Sequence, residues 1–218
     1  EVCDTMQSIW SRDAMARAPF IYMEEVTKEP RLYTNYSNTV INGSDIYTIK
    51  KGYLDTPSLI KIDNEGQEKL ITRLPYETSD LQIHDGRLYW SEDKPDERWS
   101  MKSDSWIRSI GLNGKNKEKV SDKSILLYNP SFSNDRMAAT RYFPDGGSAI
   151  YIDGQTIMAP DGLQIVETAW IGDTIYATAV SDNGFGIYSY NGTWNVVLEP
   201  EPVKICDFKS YADELTFI

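Results

Sequence analysis

Short β-rich runs recur along this chain at nearly even intervals. They are Ile46-Tyr47-Thr48-Ile49, Leu88-Tyr89-Trp90-Ser91, Met137-Ala138-Ala139-Thr140, Ile175-Tyr176-Ala177-Thr178 and Leu215-Thr216-Phe217-Ile218. Their first residues are 42, 49, 38 and 40 positions apart. Self-similarity at such a period marks a chain of stacked supersecondary units, none of which buries its apolar face alone. Five residues ahead of each of the first four runs stands an apolar residue: Ile41, Ile83, Phe132 and Trp170. Between them lie turn formers such as Asn42-Gly43, Asp85-Gly86, Asn134-Asp135 and Gly172-Asp173, which supply or tolerate the positive φ of tight hairpins. The fifth unit is looser, with Phe208 seven residues ahead of Leu215.

A second hairpin follows each of the first four. Leu59 to Ile62 turns at Asn64-Glu65-Gly66, Trp106 to Ile110 near Asn113-Gly114, Ala149 to Ile152 at Asp153-Gly154, and Phe185 to Tyr190 at Asn191-Gly192. Asn-Gly and Asp-Gly between alternating apolar runs are strong hairpin signals. Each unit therefore reads as a four-stranded antiparallel meander. Radial stacking lets such sheets cover one another, and the repeated strand order favours this over a β-sandwich. The expectation is an all-β chain, a β-propeller of four full blades and a partial fifth. Residues 1–19 read as a helical segment, with Asp4 as N-cap, Met6, Ile9 and Trp10 on one face and Pro19 ending it. The propeller then occupies 20–218. Its half-finished fifth blade leaves two readings open: strand-like runs at 20–23 and 31–34 complete it, or the propeller is part of a longer one.

Composition narrows the function. Among 218 residues, 33 are acidic and 22 basic, giving a net charge of −11. The basic residues are dispersed, which argues against the clustered cations that bind nucleic acid. No apolar run approaches the roughly 18 residues of a membrane span. Two cysteines, Cys3 and Cys206, do not make a zinc site alone; one disulfide and two free thiols both remain open.

Catalytic signals are sparse, so no catalytic residue, metal ligand or cofactor is assigned. The one histidine, His84, falls in a hairpin turn, and neither a Gly-x-Ser-x-Gly elbow nor a His-Glu-x-x-His helix accompanies it. Paired carboxylates leave a glycosidase as a further alternative. Ser181-Asp182-Asn183-Gly184 reads as a turn rather than a calcium loop. The long link of the second blade, 92–105, is the best candidate site: Asp96, Arg98 and Trp99 combine a charged pair with an aromatic anchor. Strand alternation puts this link on the same face as the connections between blades, read at Leu74-Pro75-Tyr76, Tyr128-Asn129-Pro130 and Pro200-Glu201-Pro202, opposite the hairpin turns. A peptide, protein or glycan is expected on that loop face, near the axis.

Pro130-Ser131-Phe132-Ser133-Asn134-Asp135 and Ala169-Trp170-Ile171-Gly172-Asp173 are similar to the Ser-Pro-Asp-Gly-like hairpins of TolB-like envelope propellers, without the full motif. Tyr89-Trp90-Ser91-Glu92, Arg98-Trp99 and Gly192-Thr193-Trp194 resemble large exported Gram-negative proteins that carry such a propeller. The resemblance covers 36–218. It implies an exported, periplasmic or envelope protein using its propeller as a binding module. Related propellers gate prolyl-oligopeptidase-type and tricorn-type peptidases, which makes a gating domain the main alternative. The likeness carries no catalytic residue onto this chain.

Overall fold

The computed structural model describes residues 34–52, 55–95, 103–122, 125–144, 146–206, 208–211 and 214–217. They are all β and irregular structure. The expected N-terminal helix, the runs at 20–23 and 31–33, and Cys3 lie outside them. Blade 1 comprises β1 (Asn35–Asn42), β2 (Asp45–Lys51), β3 (Ser58–Ile62) and β4 (Glu68–Arg73). Blade 2 comprises β5 (Glu77–His84), β6 (Arg87–Pro95), β7 (Ser103–Gly111) and β8 (Glu118–Lys119). Blade 3 is β9 (Leu126–Ser133), β10 (Arg136–Tyr142), β11 (Ser148–Ile152) and β12 (Gln155–Met158). Blade 4 is β13 (Gln164–Ile171), β14 (Thr174–Ser181), β15 (Gly184–Tyr190) and β16 (Trp194–Glu201). A last hairpin, β17 (Lys209–Tyr211) and β18 (Glu214–Thr216), begins a fifth unit. Each complete sheet is an antiparallel meander in sequence order. The turns are those the sequence specifies: Asp85-Gly86 and Asp153-Gly154 have positive φ at both residues, the requirement of a type I′ hairpin.

The first strands of successive blades touch one another: β1 with β5, β5 with β9, β9 with β13, and β13 with β17. They are the inner strands around a common axis, and the fourth strands are outermost. Side chains alternate across each sheet, and this alternation makes the core. In β6, Leu88 and Trp90 pack on Tyr47, Ile49 and Leu59 of blade 1, whereas Tyr89 between them joins Leu127 and Met137 of blade 3. In β14, Ile175, Ala177 and Ala179 meet Ala138, Ile150 and Ile152 of blade 3. Tyr176 turns the other way, toward Ile205 and Phe208. The face of blade 1 away from blade 2 has no such cover among the described residues, and Ile41 and Leu70 are exposed there.

Two sequence readings are corrected. The link of the second blade is shorter than 92–105: β6 runs on to Pro95 and β7 starts at Ser103. Pro130 and Pro200 lie within strands, not in the connections between blades. Pro200 is on the outermost strand of its sheet, where no further strand needs its missing N–H.

β6 extends because Glu92 finds partners within the sheet. Its carboxylate is 1% exposed and accepts bonds from Trp106 Nε1 and Arg108 Nε, each at 2.5 Å. Tyr76 meets Trp106 edge-on at 6.0 Å, and Arg108 and Lys119 lie over its ring. Removing one partner of a buried ion pair leaves an uncompensated charge, which costs about 3–5 kcal/mol. Arg108→Ala is expected to lower stability by roughly the low end of that range. Adding Glu92→Gln to that variant, which removes the orphaned charge, should recover part of the loss in urea unfolding.

Candidate functional site

The four complete inner strands are each eight residues long, and the fourth residue of each is Asn38, Asp80, Asn129 or Glu167. The pairing of inner with second strand slips at or beside this point in every blade. It is a β-bulge, whose extra residue is left off the ladder. Asn38, Asp80 and Asn129 have φ of 50°, 58° and 52°, a left-handed conformation that Asn and Asp adopt more readily than other non-glycine residues.

These bulges are bonded to one another across the blades. The Asp80 N–H donates to Asn38 Oδ1 at 3.1 Å, and the Asn129 N–H to Asp80 Oδ2 at 3.2 Å. Asn129 Nδ2 donates to the Val166 carbonyl at 2.8 Å. Glu167 Oε2 accepts the Phe208 N–H at 2.8 Å, carrying the relay to the fifth unit. Hydroxyls of the second strands support it: Thr140 donates to the Val166 carbonyl at 3.0 Å, and Ser91 Oγ accepts from the Asn129 N–H at 3.1 Å.

Two cavities meet at Asp80 and Asn129. The smaller, of about 60 Å³, follows the axis between all five inner strands and is lined by Asn38, Gln82, Glu167, Thr168 and Phe208 among others. The larger, of about 360 Å³, is lined by Ser79, Asp80, Leu126, Tyr128, Asn129 and Tyr142. Its inner-strand residues come from the first halves of β5 and β9, so it lies in the loop-face half of the axis. Tyr128 and Tyr142 meet edge-to-face, with centroids 5.5 Å apart at 71°. Burial holds the Tyr142 phenol above its ordinary pKa, and the carboxylates of Asp80 and Glu167 push it further the same way.

The expected site residues Asp96, Arg98 and Trp99 lie outside the described residues; their flanking pair, Pro95 and Ser103, ends blade 2 on the loop face. His84 closes β5 on the opposite face and stacks on Phe132 at 4.7 Å. Cys206 is a half-buried free thiol. No group of three or more His, Cys, Asp or Glu converges as metal ligands among the described residues. Sequence reasoning missed the relay, although a signal was present. A polar Asn, Asp or Glu stands three residues before Ile41, Ile83, Phe132 and Trp170 alike. In the fifth unit, where Ser210 pairs with Leu215 as Ile41 does with Ile46, the same count falls on Asp207.

No family model and no curated protein matches the chain. Solved structures do. The β-propeller domain of the trilobed protease from Pyrococcus furiosus, described as an open velcro topology, matches with a TM-score of 0.61 at 12% identity over 81% of this chain and 60% of its own. A puromycin-hydrolyzing peptidase of Mycobacterium tuberculosis matches with a TM-score of 0.61 at 11% identity over 81% of this chain and 32% of its own. A putative TolB from Agrobacterium tumefaciens gives 0.53 at 11% identity over 71% of this chain and 61% of its own. The chain thus spans less than two thirds of the length of these structures.

The relay makes a stability prediction. Asn129→Asp keeps a residue that tolerates the left-handed bulge but removes the donor to Val166 and adds a charge beside Asp80. The Val166 carbonyl keeps its bond from Thr140, so the expected loss in urea unfolding is about 1–2 kcal/mol, one hydrogen bond plus the repulsion of the added carboxylate by Asp80. Glu199→Gln, on the exposed outer strand, should stay within about 0.5 kcal/mol of the parent. The β-propeller is the fold this chain shares with those structures.

Proposed function

We propose that the chain is a non-catalytic binding or scaffold propeller of an exported bacterial protein, recognising a peptide, protein or glycan on its loop face. The observation that supports this most directly is the 360 Å³ cavity beside the axis. It combines an aromatic pair and Leu126 with a few convergent polar groups, Ser79, Asp80 and Asn129, features that ligand sites share. Export and an envelope location rest on the resemblance to TolB-like proteins; no described helix is long and apolar enough to cross a membrane. In this reading Asp96, Arg98 and Trp99, which follow β6 in the sequence, contribute contacts to the ligand.

A second reading is a propeller that gates a peptidase whose catalytic domain lies elsewhere. It is supported by the likeness to the propeller domain of the Pyrococcus furiosus protease and to the Mycobacterium tuberculosis peptidase, the latter matched over only 32% of its length.

Thermal unfolding against short peptides and oligosaccharides separates the possibilities. A ligand at a hundred times its dissociation constant adds about 2.7 kcal/mol, which for a domain of this size raises Tm by several degrees. A shift with one class, without turnover, is expected. Cleavage of a peptide or glycoside by the purified chain would overturn the non-catalytic reading.

A further inference from the structure

We infer that the cavity between blades 2 and 3 is a receptacle for a basic side chain, the ammonium of a lysine or the guanidinium of an arginine, presented by a peptide partner. This deepens the binding reading and rests on it. The cavity is a shallow depression, widely open to solvent, of about 360 Å³, against roughly 300–1,000 Å³ for ligand sites. It suits one long side chain better than an extended oligomer.

Asp80 is the charged group of the cavity lining, and it is held for use. The Ser79 hydroxyl donates to its Oδ2 at 2.7 Å, and the Asn129 N–H binds the same oxygen at 3.2 Å. No described residue donates to Oδ1, and no described lysine or arginine pairs with the carboxylate. The left-handed backbone at Asp80, bonded into the axial relay, fixes where that carboxylate stands. A ligand cation therefore meets a preorganised anion, which lowers the cost of ordering on binding. The rings of Tyr128 and Tyr142 add faces that attract cations. Glu167, across the relay, adds negative potential; Tyr142 registers both carboxylates in its raised pKa.

The aromatic pair belongs to one blade alone. The residue four before the last of each inner strand's apolar markers is Ser37, Ser79, Tyr128 or Val166. The residue five after the start of each second-strand run is Lys51, Asp93, Tyr142 or Val180. The fold repeats without tyrosine at either position. The two tyrosines are thus a departure confined to blade 3, on the side where it meets Asp80.

The test is a titration of the whole chain, followed by protein-observed NMR to millimolar ligand. The probes are acetylated, amidated pentaglycine peptides whose central residue is replaced by lysine, arginine, norleucine or glutamate. Lysine and arginine peptides are expected to bind, with norleucine weaker by about tenfold or more and glutamate not binding. Asp80→Asn keeps the shape and the bulge and should weaken the lysine peptide about tenfold, or 1.4 kcal/mol, while leaving norleucine unchanged. Tyr142→Leu, which keeps the charge, should weaken it less. Equal binding of lysine and norleucine, or an unchanged affinity in both variants, overturns the inference. So does a failure of every probe. If a neutral peptide or a glycan then shifts Tm, the binding reading stands without the basic side chain; if nothing does, both fall.

Discussion

Among the described residues neighbouring blades share no β-ladder, so the axis is held by something else: a chain of bonds between the bulged residues at the midpoint of the inner strands. A bulge takes one N–H off the ladder of its own sheet, which would be costly if it stayed buried and unpaired. Here the freed N–H of Asp80 points to Asn38 of the blade before it, and that of Asn129 to Asp80. Asn and Asp fill both roles at once. They tolerate the left-handed backbone that the bulge imposes, and their side chains accept the bond that the next bulge supplies.

The apolar packing follows from the same spacing. Once inner strands are fixed side by side, each sheet presents one face backward and one forward, and single-residue alternation along β6 and β14 suffices to build both interfaces. Large residues meet small ones: Trp170 and Tyr188 pack with Ala138, Ala177 and Ala179 in one cluster. Away from the axis, Glu92 is enclosed by Trp106 and Arg108 and so extends β6–β7, the longest strand pair among the described residues.

Repetition made the blades legible in the sequence, because hairpin turns and apolar alternation are local properties. The second-strand runs, the turn residues and the antiparallel order all follow from nearest neighbours. What was not legible depended on partners about forty residues away. Asn129-Pro130 looks like a loop on local grounds, since Asn-Pro is a turn signal; its strand conformation requires the bulge and the Val166 carbonyl of the next blade. The stretch Glu92-Asp93-Lys94-Pro95 looks solvated, and only Arg108 and Trp106, on the next strand, make Glu92 a buried residue. Asp96, Arg98 and Trp99 stand out by local composition, whereas the cavity beside the axis is assembled from three strands of two blades.

The relay position also shows how a repeated fold acquires a unique site. Its occupants are Asn, Asp, Asn and Glu, so the bonding geometry recurs while the charge does not. Negative charge enters the described relay at blades 2 and 4, on either side of blade 3, and a tyrosine pair of blade 3, Tyr128 and Tyr142, lies within reach of it. At 11–12% identity to the solved structures it resembles, the chain shares their fold with few side chains in common. Fold therefore carries little information about ligand. The informative residues are those that the repeat does not require, and in this chain they converge where Asp80 faces Tyr128 and Tyr142.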